Sequence, residues 1–275
     1  MLNSEQLENL KEKSRKIRKN IIEMVYSASS GHPGGSLSVT DILTTLYFKE
    51  MNVDINNHKN ENRDRLVLSK GHCTPALYST LAEKGFFSEN DLKTFRKINS
   101  YLQGHPDMNK IPGVDMSSGS LGQGLSVANG MAIAGKLDKK DYRVYCIMGD
   151  GEIEEGQIWE AAMTSSHYKL DNLCTIIDNN NLQIDGKVDE VMSPYPIDKK
   201  FESFGFNTLV IDGHNFEEII NAFEKAKQTK GKPTAIIAKT IKGKGISYME
   251  NKASWHGKAP SEEEYKTAIE EIAKI

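Results

Sequence analysis

The chain has 275 residues, of which 38% are hydrophobic and 27% charged, and its formal net charge is −3. This composition is typical of a globular protein and excludes a largely disordered chain. It gives no overall positive field for nucleic acid, and no apolar run approaches the roughly 18 residues of a membrane span. Three cysteines without CxxC spacing argue against structural zinc and a disulfide framework. We therefore expect a cytoplasmic protein without a signal peptide that binds neither nucleic acid nor membrane.

The N-terminal segment has the spacing of an amphipathic helix. Leu10, Ile17 and Ile21 fall mostly on one face, and Ser4 is placed to cap the helix. The helical pattern ends where the chain becomes rich in glycine, near residue 30. A second apolar-periodic stretch over 40–48 also predicts a helix.

Five short apolar runs, most of them rich in β-branched residues, predict buried strands. Stretches with helical spacing lie between them, such as 155–167 and 216–228. This alternation predicts an α/β fold with an open, mainly parallel sheet flanked by helices. We expect one domain over 1–275, with a helical extension at its N-terminus. The five runs are Arg65–Leu68, Val144–Met148, Leu173–Ile177, Thr208–Ile211 and Ala235–Ala238.

Two long stretches, 101–124 and 242–260, show no clear periodicity, and both contain histidine and glycine. Long irregular segments in a compact domain are usually functional or mobile. We therefore expect both segments to be functional or mobile.

The strongest local signal is a predicted strand that runs directly into Gly149, Asp150 and Gly151, with a helical stretch after it. Open α/β sheets bind ligands at the carboxyl ends of their strands. Glycine lets the backbone approach a ligand closely, and the N–H groups at the start of the helix suit phosphate. The motif alone is a common turn, so its weight depends on what accompanies it.

A second set of oxygen-bearing side chains, from Asp178 to Asp185, follows the next predicted strand. Carboxylate, amide and backbone carbonyl oxygens suit Mg²⁺ or Ca²⁺ rather than zinc. Two neighbouring strand ends would then hold one metal against a diphosphate. From the residues alone, Asp178, Asn180 and Asp185 are all candidate metal ligands.

The joint pattern, Gly-Asp-Gly and then Asn-Asn-x-x-x-x-Gly with Asn180 thirty residues after Asp150, resembles the thiamine diphosphate signature. The resemblance implies that Asp150 and Asn180 bind a divalent metal, Mg²⁺ or else Ca²⁺ or Mn²⁺, through side-chain oxygens. It implies that Leu182 gives the metal a backbone carbonyl. It also implies that Gly149 and Gly151 lie against the diphosphate.

His32, His72 and His105 each follow glycine, and His256 precedes one, all on predicted loops. A histidine in such a setting can change charge near neutral pH, although a lone one is most often a surface residue. The contexts and order of His32, His72, His105 and His256 resemble the four histidine motifs of transketolases. The resemblance implies that all four bind substrate hydroxyls and move protons, and that His72 and His256 also contact the cofactor diphosphate.

Further motifs extend the resemblance to transketolases over nearly the whole chain. Gly119, Ser120 and Leu121 match the family's glycine-rich loop beside the cofactor ring. Glu155 and Glu160 match glutamates at the family's dimer interface, and we include both among the catalytic candidates. The Pro-Gly that follows His32 distinguishes transketolases from the related 1-deoxyxylulose-5-phosphate synthases.

We interpret His214 and the lysines of 239–244 as structural residues rather than as part of the site. We expect His214 to occupy a turn or a helix cap rather than the site. The lysines of 239–244 are either a phosphate patch or, as we prefer, part of a solvated loop after a strand.

Transketolases also contain a pyrimidine-binding domain and a C-terminal domain, whereas the residues after Pro260 predict one short charged helix. We hypothesise that the chain is the N-terminal subunit of a two-subunit transketolase. It would form an α2β2 assembly with a C-terminal partner subunit. The resemblance implies thiamine diphosphate-dependent transfer of a two-carbon ketol unit from a ketose phosphate to an aldose phosphate, as in the pentose phosphate pathway.

Three alternatives stay open. The chain could act on another, modified sugar, or it could be a non-catalytic subunit that retains the fold. The third alternative is a metal-dependent hydrolase, although no H-x-x-x-H spacing occurs in the sequence.

Overall fold

Five parallel strands form the central sheet in a computed structural model that describes residues 2–275. In chain order the strands are β1 (Arg65–Leu68), β2 (Val144–Gly149), β3 (Leu173–Asn179), β4 (Leu182–Gln183), β5 (Gly186–Lys187), β6 (Asn207–Asp212) and β7 (Thr234–Lys239). The sheet has the order β1-β2-β3-β7-β6, while β4 and β5 form a small antiparallel hairpin. The five predicted strands and the predicted open, parallel α/β sheet are confirmed. The expected burial is wrong for β6, which contains no buried residue because it lies at the edge of the sheet.

Helices cover both faces of this sheet. They are α1 (Ser4–Ala28), α2 (Pro33–Ser38), α3 (Thr40–Thr45), α4 (Thr74–Lys84), α5 (Gly124–Leu137), α6 (Gly156–His167), α7 (Val188–Val191), α8 (Ile197–Ser203), α9 (Phe216–Gln228) and α10 (Glu262–Ile272). A π-helical turn, Leu46–Glu50, continues α3. No helix within residues 2–275 is long and apolar enough to cross a membrane.

The two faces of the sheet form two hydrophobic cores. Along β2, Tyr145 and Ile147 pack on the side of α1, α3, α4 and α9, whereas Cys146 and Met148 pack on the side of α5, α6 and α8. This alternation follows from the two-residue repeat of a strand. Every residue of β3 is buried, as expected for a central parallel strand with helices on both sides.

The first helix begins one residue earlier than its predicted cap. Asn3, not Ser4, is the N-cap: its side chain accepts a hydrogen bond from Gln6 N at 2.7 Å, and the Gln6 side chain accepts one from Asn3 N. A cap at Ser4 would place Leu7 in the position where a polar side chain completes the capping box. The reciprocal pairing with Gln6 therefore selects Asn3.

Candidate active site

Four strand ends meet at one cavity on the carboxyl edge of the sheet, where parallel α/β sheets bind ligands. Lys70 follows β1, Asp150 follows β2, Asn180 follows β3 and Lys242 follows β7. The cavity has a volume of about 390 Å³. Its lining includes eleven residues predicted from the sequence: His32, His72, His105, Gly119, Leu121, Gly149, Asp150, Gly151, Asn180, Leu182 and His256.

Three of the four histidines form a tight cluster in this cavity. The ring centroids of His32 and His72 are 5.1 Å apart, those of His72 and His256 are 5.2 Å apart, and those of His32 and His256 are 5.4 Å apart. His105 lines the same cavity beside Gly119, where a Cβ would lie 3.1 Å from the His105 ring. The glycine at 119 thus leaves room for the ring.

The four imidazoles are kept in their neutral form. Burial, together with the positive charge of Arg96, lowers the pKa of His32 to about 4. Burial and the nearby Lys242 lower the pKa of His256 to about 3. The pKa values of His72 and His105 are also lowered, mainly by burial. A neutral imidazole has one N–H donor and one acceptor nitrogen, so each ring can donate one hydrogen bond and accept another.

Asp150 is a buried carboxylate without a cationic partner. Its side chain is only 2% exposed and accepts hydrogen bonds from Gly151 N, Asn179 Nδ2 and Asn181 N. Burial raises the pKa of Asp150, and the negative charge of Asp178 adds to the effect. No ion pair of Asp150 occurs within residues 2–275. Lys70 and Lys242 act on Asp150 only through space, without a direct ion pair. A buried carboxylate without a direct ion pair is costly, and a bound cation would offset that cost.

Two further oxygens lie near Asp150 at the end of β3. Asn180 Oδ1 accepts a hydrogen bond from Leu182 N at 3.2 Å, and the Leu182 carbonyl accepts one from Lys242 Nζ at 3.1 Å. Carboxylate, amide and carbonyl oxygens form a hard donor set that fits Mg²⁺ or Ca²⁺. Across the described chain, no group of three or more His, Cys, Asp or Glu side chains is arranged to hold a metal.

The rival metal ligands are placed differently. Asp178 is fully buried and forms an ion pair with Lys70, and Ser38 Oγ donates a hydrogen bond to it at 2.6 Å. Although burial opposes it, Lys70 lowers the pKa of Asp178. Its charge is thus already compensated. Asp185 is exposed at the β4–β5 hairpin and does not line the cavity.

Lys242 corrects the expectation of a solvated lysine loop. Its side chain is 2% exposed, and Nζ lies 3.1 Å from both the Leu182 carbonyl and His256 Nδ1. Burial, with Lys70 nearby, lowers the pKa of Lys242 to about 8. Gly243 has a φ of +81° and its N–H donates to the Gly34 carbonyl, so the chain folds back and directs Lys242 inward. Nothing in the sequence pattern alone indicates this reversal.

A buried chain of polar groups supports the Lys242 loop from behind. Arg18 binds Asp41 through two hydrogen bonds of 2.9 and 2.6 Å. The His214 ring connects Asp41 Oδ2, at 2.8 Å, with Ile241 N, at 2.9 Å. His214 N also donates to Asp212 Oδ1, which confirms the predicted turn. The His214 ring also binds the loop that carries Lys242, through Ile241 N.

Glu152 joins three loops around the cavity and was not singled out from the sequence. Its buried carboxylate accepts hydrogen bonds from Gly122 N at 2.9 Å, from Gly149 N at 3.0 Å and from Ser69 Oγ. Burial raises the pKa of Glu152. It fixes the glycine-rich loop against the ends of β1 and β2.

Three predicted site residues lie outside the cavity. Ser120 is exposed on the loop between Gly119 and Leu121. Glu155 is the exposed N-cap residue of α6, and Glu160 lies on the exposed side of the same helix. Within this chain neither glutamate reaches the histidine cluster.

Comparison with known proteins assigns the chain to a family. The family model described as "Transketolase, thiamine diphosphate binding domain" matches residues 10–273. The chain belongs to the transketolase family. The resemblance seen in the histidine and Gly-Asp-Gly motifs is therefore confirmed, and the protein contains the family's thiamine diphosphate-binding domain.

This chain matches some similar proteins over nearly their whole length and others over less than half of it. The chain is 47% identical to a subunit of the apulose-4-phosphate transketolase of Phocaeicola vulgatus, over 98% of this chain and 95% of that one. It is 45% identical to the 6-deoxy-6-sulfo-D-fructose transketolase subunit SqwG of a Clostridium species, over 98% of both. The crystal structure of transketolase from Campylobacter jejuni superposes with a TM-score of 0.91 and 37% identity over 97% of this chain, but over only 43% of its own.

The buried support of the Lys242 loop gives a stability prediction. Asp41→Asn leaves Arg18 buried and unpaired, so we expect a loss of about 3–5 kcal/mol in the free energy of unfolding, measured by urea denaturation. Burial alone would raise the pKa of Asp41, but Arg18 and His214 hold it well below its usual range. The stabilisation is therefore complete above about pH 5 and is lost on acidification, so the two proteins converge at low pH.

The matched control is Glu190→Gln, which removes the exposed ion pair between Lys187 and Glu190. Exposed pairs contribute about 0–1 kcal/mol, so this variant should stay close to the wild type. Equal effects of the two substitutions would contradict the role assigned to Asp41.

Proposed function

We propose that the chain is the N-terminal, cofactor diphosphate-binding subunit of a two-subunit transketolase in the cytoplasm. It transfers a two-carbon ketol unit from a ketose phosphate to an aldose phosphate, using thiamine diphosphate and a divalent metal. The observation that supports this most directly is the cavity itself. It joins four neutral histidines to a buried carboxylate that lacks a cation, in a chain of the transketolase family.

In this proposal Asp150, Asn180 and the Leu182 carbonyl hold Mg²⁺ or a similar ion. Gly149 and Gly151 approach the diphosphate, and Lys242 and Lys70 supply positive charge on the same side of the cavity. When bound, thiamine diphosphate supplies the nucleophilic carbon and the electron sink for breaking a carbon–carbon bond. The protein residues position the substrate and exchange protons with it.

The histidines perform the proton transfers in this proposal. His32 and His105 bind substrate hydroxyls and accept protons, because both rings are neutral at pH 7 and line the cavity. His72 and His256 lie closer to the lysines and contact the diphosphate as well as substrate. General acid–base catalysis of this kind contributes about 10²–10⁴-fold to a rate.

A partner subunit with the pyrimidine-binding domain completes each site, in an α2β2 assembly. The relatives that this chain matches end to end are named as transketolase subunits. The faces of α5 and α6 carry exposed apolar side chains, among them Val127 at 37% and Met163 at 59% exposure. Exposed apolar surface of this kind is typical of a protein interface. Glu155 and Glu160 lie beside it, and we propose that they join the catalytic machinery through this contact.

A modified sugar is a second candidate substrate. One similar protein is named for apulose 4-phosphate and another for 6-deoxy-6-sulfo-D-fructose. Both names describe sugars other than the ordinary pentose phosphates. The substrate panel for this chain should therefore include branched and sulfonated ketoses.

The experiment that tests the function begins with native mass spectrometry of the tagged chain purified from its own cells. We expect two copies of this chain with two copies of a second protein, together with thiamine diphosphate and a divalent metal. The purified complex should then transfer a ketol unit from at least one ketose of the panel to an aldose phosphate. A monomer or homodimer without cofactor would favour the non-catalytic alternative.

The metal site gives a mutational prediction. Asp150→Asn keeps the shape of the side chain but removes the charge, so metal-dependent binding of thiamine diphosphate should fall at least tenfold in calorimetry, on the scale of charge-assisted contacts of about 1.5–3 kcal/mol. Asp185→Asn is the matched control and should bind normally, because Asp185 lies outside the cavity. If Asp150→Asn kept full affinity, the assignment of the metal ligand would be wrong.

The role of His105 can be separated from cofactor binding. His105→Gln should lower kcat by about 10²-fold while the affinity for thiamine diphosphate stays within a factor of about three. The ring lies beside Gly119 and not among the proposed metal-binding oxygens. An unchanged kcat in the complex with the partner would exclude a proton-transfer role.

A further inference from the structure

Arg96 holds an unusual backbone conformation next to the active site. Its φ is +58°, in the left-handed region that residues other than glycine seldom adopt. Its N–H donates to the Leu102 carbonyl at 2.8 Å, which closes the loop that leads to His105. Such strain persists only where the surrounding structure imposes it, and it clusters at functional sites.

The guanidinium of Arg96 lies between two histidine loops. Its Nη1 donates to Ser30 Oγ at 3.0 Å, and Ser30 stands two residues before His32. Its Nη2 is packed against Gly104, where a Cβ would lie 2.6 Å away, and Gly104 directly precedes His105. One planar group thus contacts both segments, and glycine at 104 leaves the space for it.

The guanidinium of Arg96 lies over the Phe95 ring, with its central carbon 5.5 Å from the ring centroid. Within residues 2–275 it forms no ion pair with a carboxylate, and its Nε is buried without a hydrogen-bond acceptor. A buried donor without a partner costs stability. The unsatisfied Nε lowers the contribution of this side chain to stability, whereas its other contacts place the guanidinium beside both histidine loops.

We propose that Arg96 is a positioning residue of the active site. Its guanidinium connects the loop of His32 with the loop of His105 and presents a fixed positive charge to both rings. The consequence for catalysis rests on the proposed function of the two histidines, but the geometry and the charge effect do not.

The charge acts on rings that have few other charged neighbours. His105 stays partly open to solvent at the edge of the cavity, and its pKa is lowered by partial desolvation and by the charge of Arg96. His32 is influenced by Arg96, His105 and Lys242, with the rings of His72 and His256 packed against it. Without the guanidinium, the pKa values of His32 and His105 should rise, and a larger share of each ring would be protonated in mildly acidic solution.

The first measurement is NMR titration of the histidine rings in the full 275-residue chain, with His105→Gln used to assign the signal. Arg96→Met should raise the pKa of His105 by about one unit, the size expected for one nearby charge that is partly screened. Arg96→Lys keeps the charge and should give a smaller shift. Melting temperatures confirm that each variant is folded.

Gly104→Ala provides a test that leaves Arg96 in place. The added methyl would displace the guanidinium, so the pKa of His105 should rise as in Arg96→Met. The double variant should match Arg96→Met alone, because the displaced charge is already absent. Additive shifts would show that the two residues act separately and would overturn the proposal.

Activity completes the test in the assembled complex. In Arg96→Met the acid limb of the kcat/KM profile should move to higher pH, while thiamine diphosphate affinity stays constant. A uniform loss of rate without movement of the limb, or an unchanged His105 titration in a folded variant, would overturn the proposal. A wild-type complex without transketolase activity would instead contradict the proposed function, and the NMR result would still stand.

Discussion

The ion pair between Lys70 and Asp178 is the interaction on which the arrangement of the site depends. Both groups are nearly inaccessible, at 3% and 0% exposure, so separating them would leave an uncompensated charge inside the protein. Ser38 and Thr240 also donate hydrogen bonds to the Asp178 carboxylate. The pair therefore joins the ends of β1, β3 and β7 and the helix α2.

The cavity residues follow these anchors at short, fixed distances along the chain. His72 comes two residues after Lys70, Asn180 two after Asp178, and Lys242 two after Thr240. Lys70 and Thr240 both bind the Asp178 carboxylate. The side chains that follow these three residues are therefore fixed relative to one another. The histidine cluster and the oxygen donors keep their relative positions because their attachment points cannot move independently.

Patterns of hydrophobicity predicted the sheet well but missed several helices, of which α4 and α5 are the longest. Four of the five strands are largely buried, whereas β6 lies at the edge of the sheet and contains no buried residue. All five are short apolar runs, so each one could be recognised in the sequence. Helix α4 is buried from Thr74 to Ala82, and α5 combines small and apolar residues with Gly130 and Gly135 in its interior. Neither helix has a polar face of ordinary width, and a periodicity argument cannot detect a helix without one.

The residues of the candidate site also fall into those that the sequence could predict and those that it could not. The sequence could predict the histidines next to glycine and the aspartate at a strand end, because the residues adjacent to them in the chain indicate their role. Lys242 takes its role from Leu182, sixty residues away, and Glu152 from Ser69, eighty-three residues away. Such contacts exist only after folding. Lys70 is different, because its position between a predicted strand and His72 already indicates a place near the site.

The strand order has a consequence for how the protein is made. Strand β7 lies between β3 and β6, although it is the last strand of the sheet along the chain. During synthesis β6 therefore has no neighbour to pair with until β7 has left the ribosome. Long-range pairing of this kind slows folding and leaves strand edges exposed in the meantime. The cavity cannot be complete before this point either, because Lys242 and His256, which line it, follow β7 in the chain.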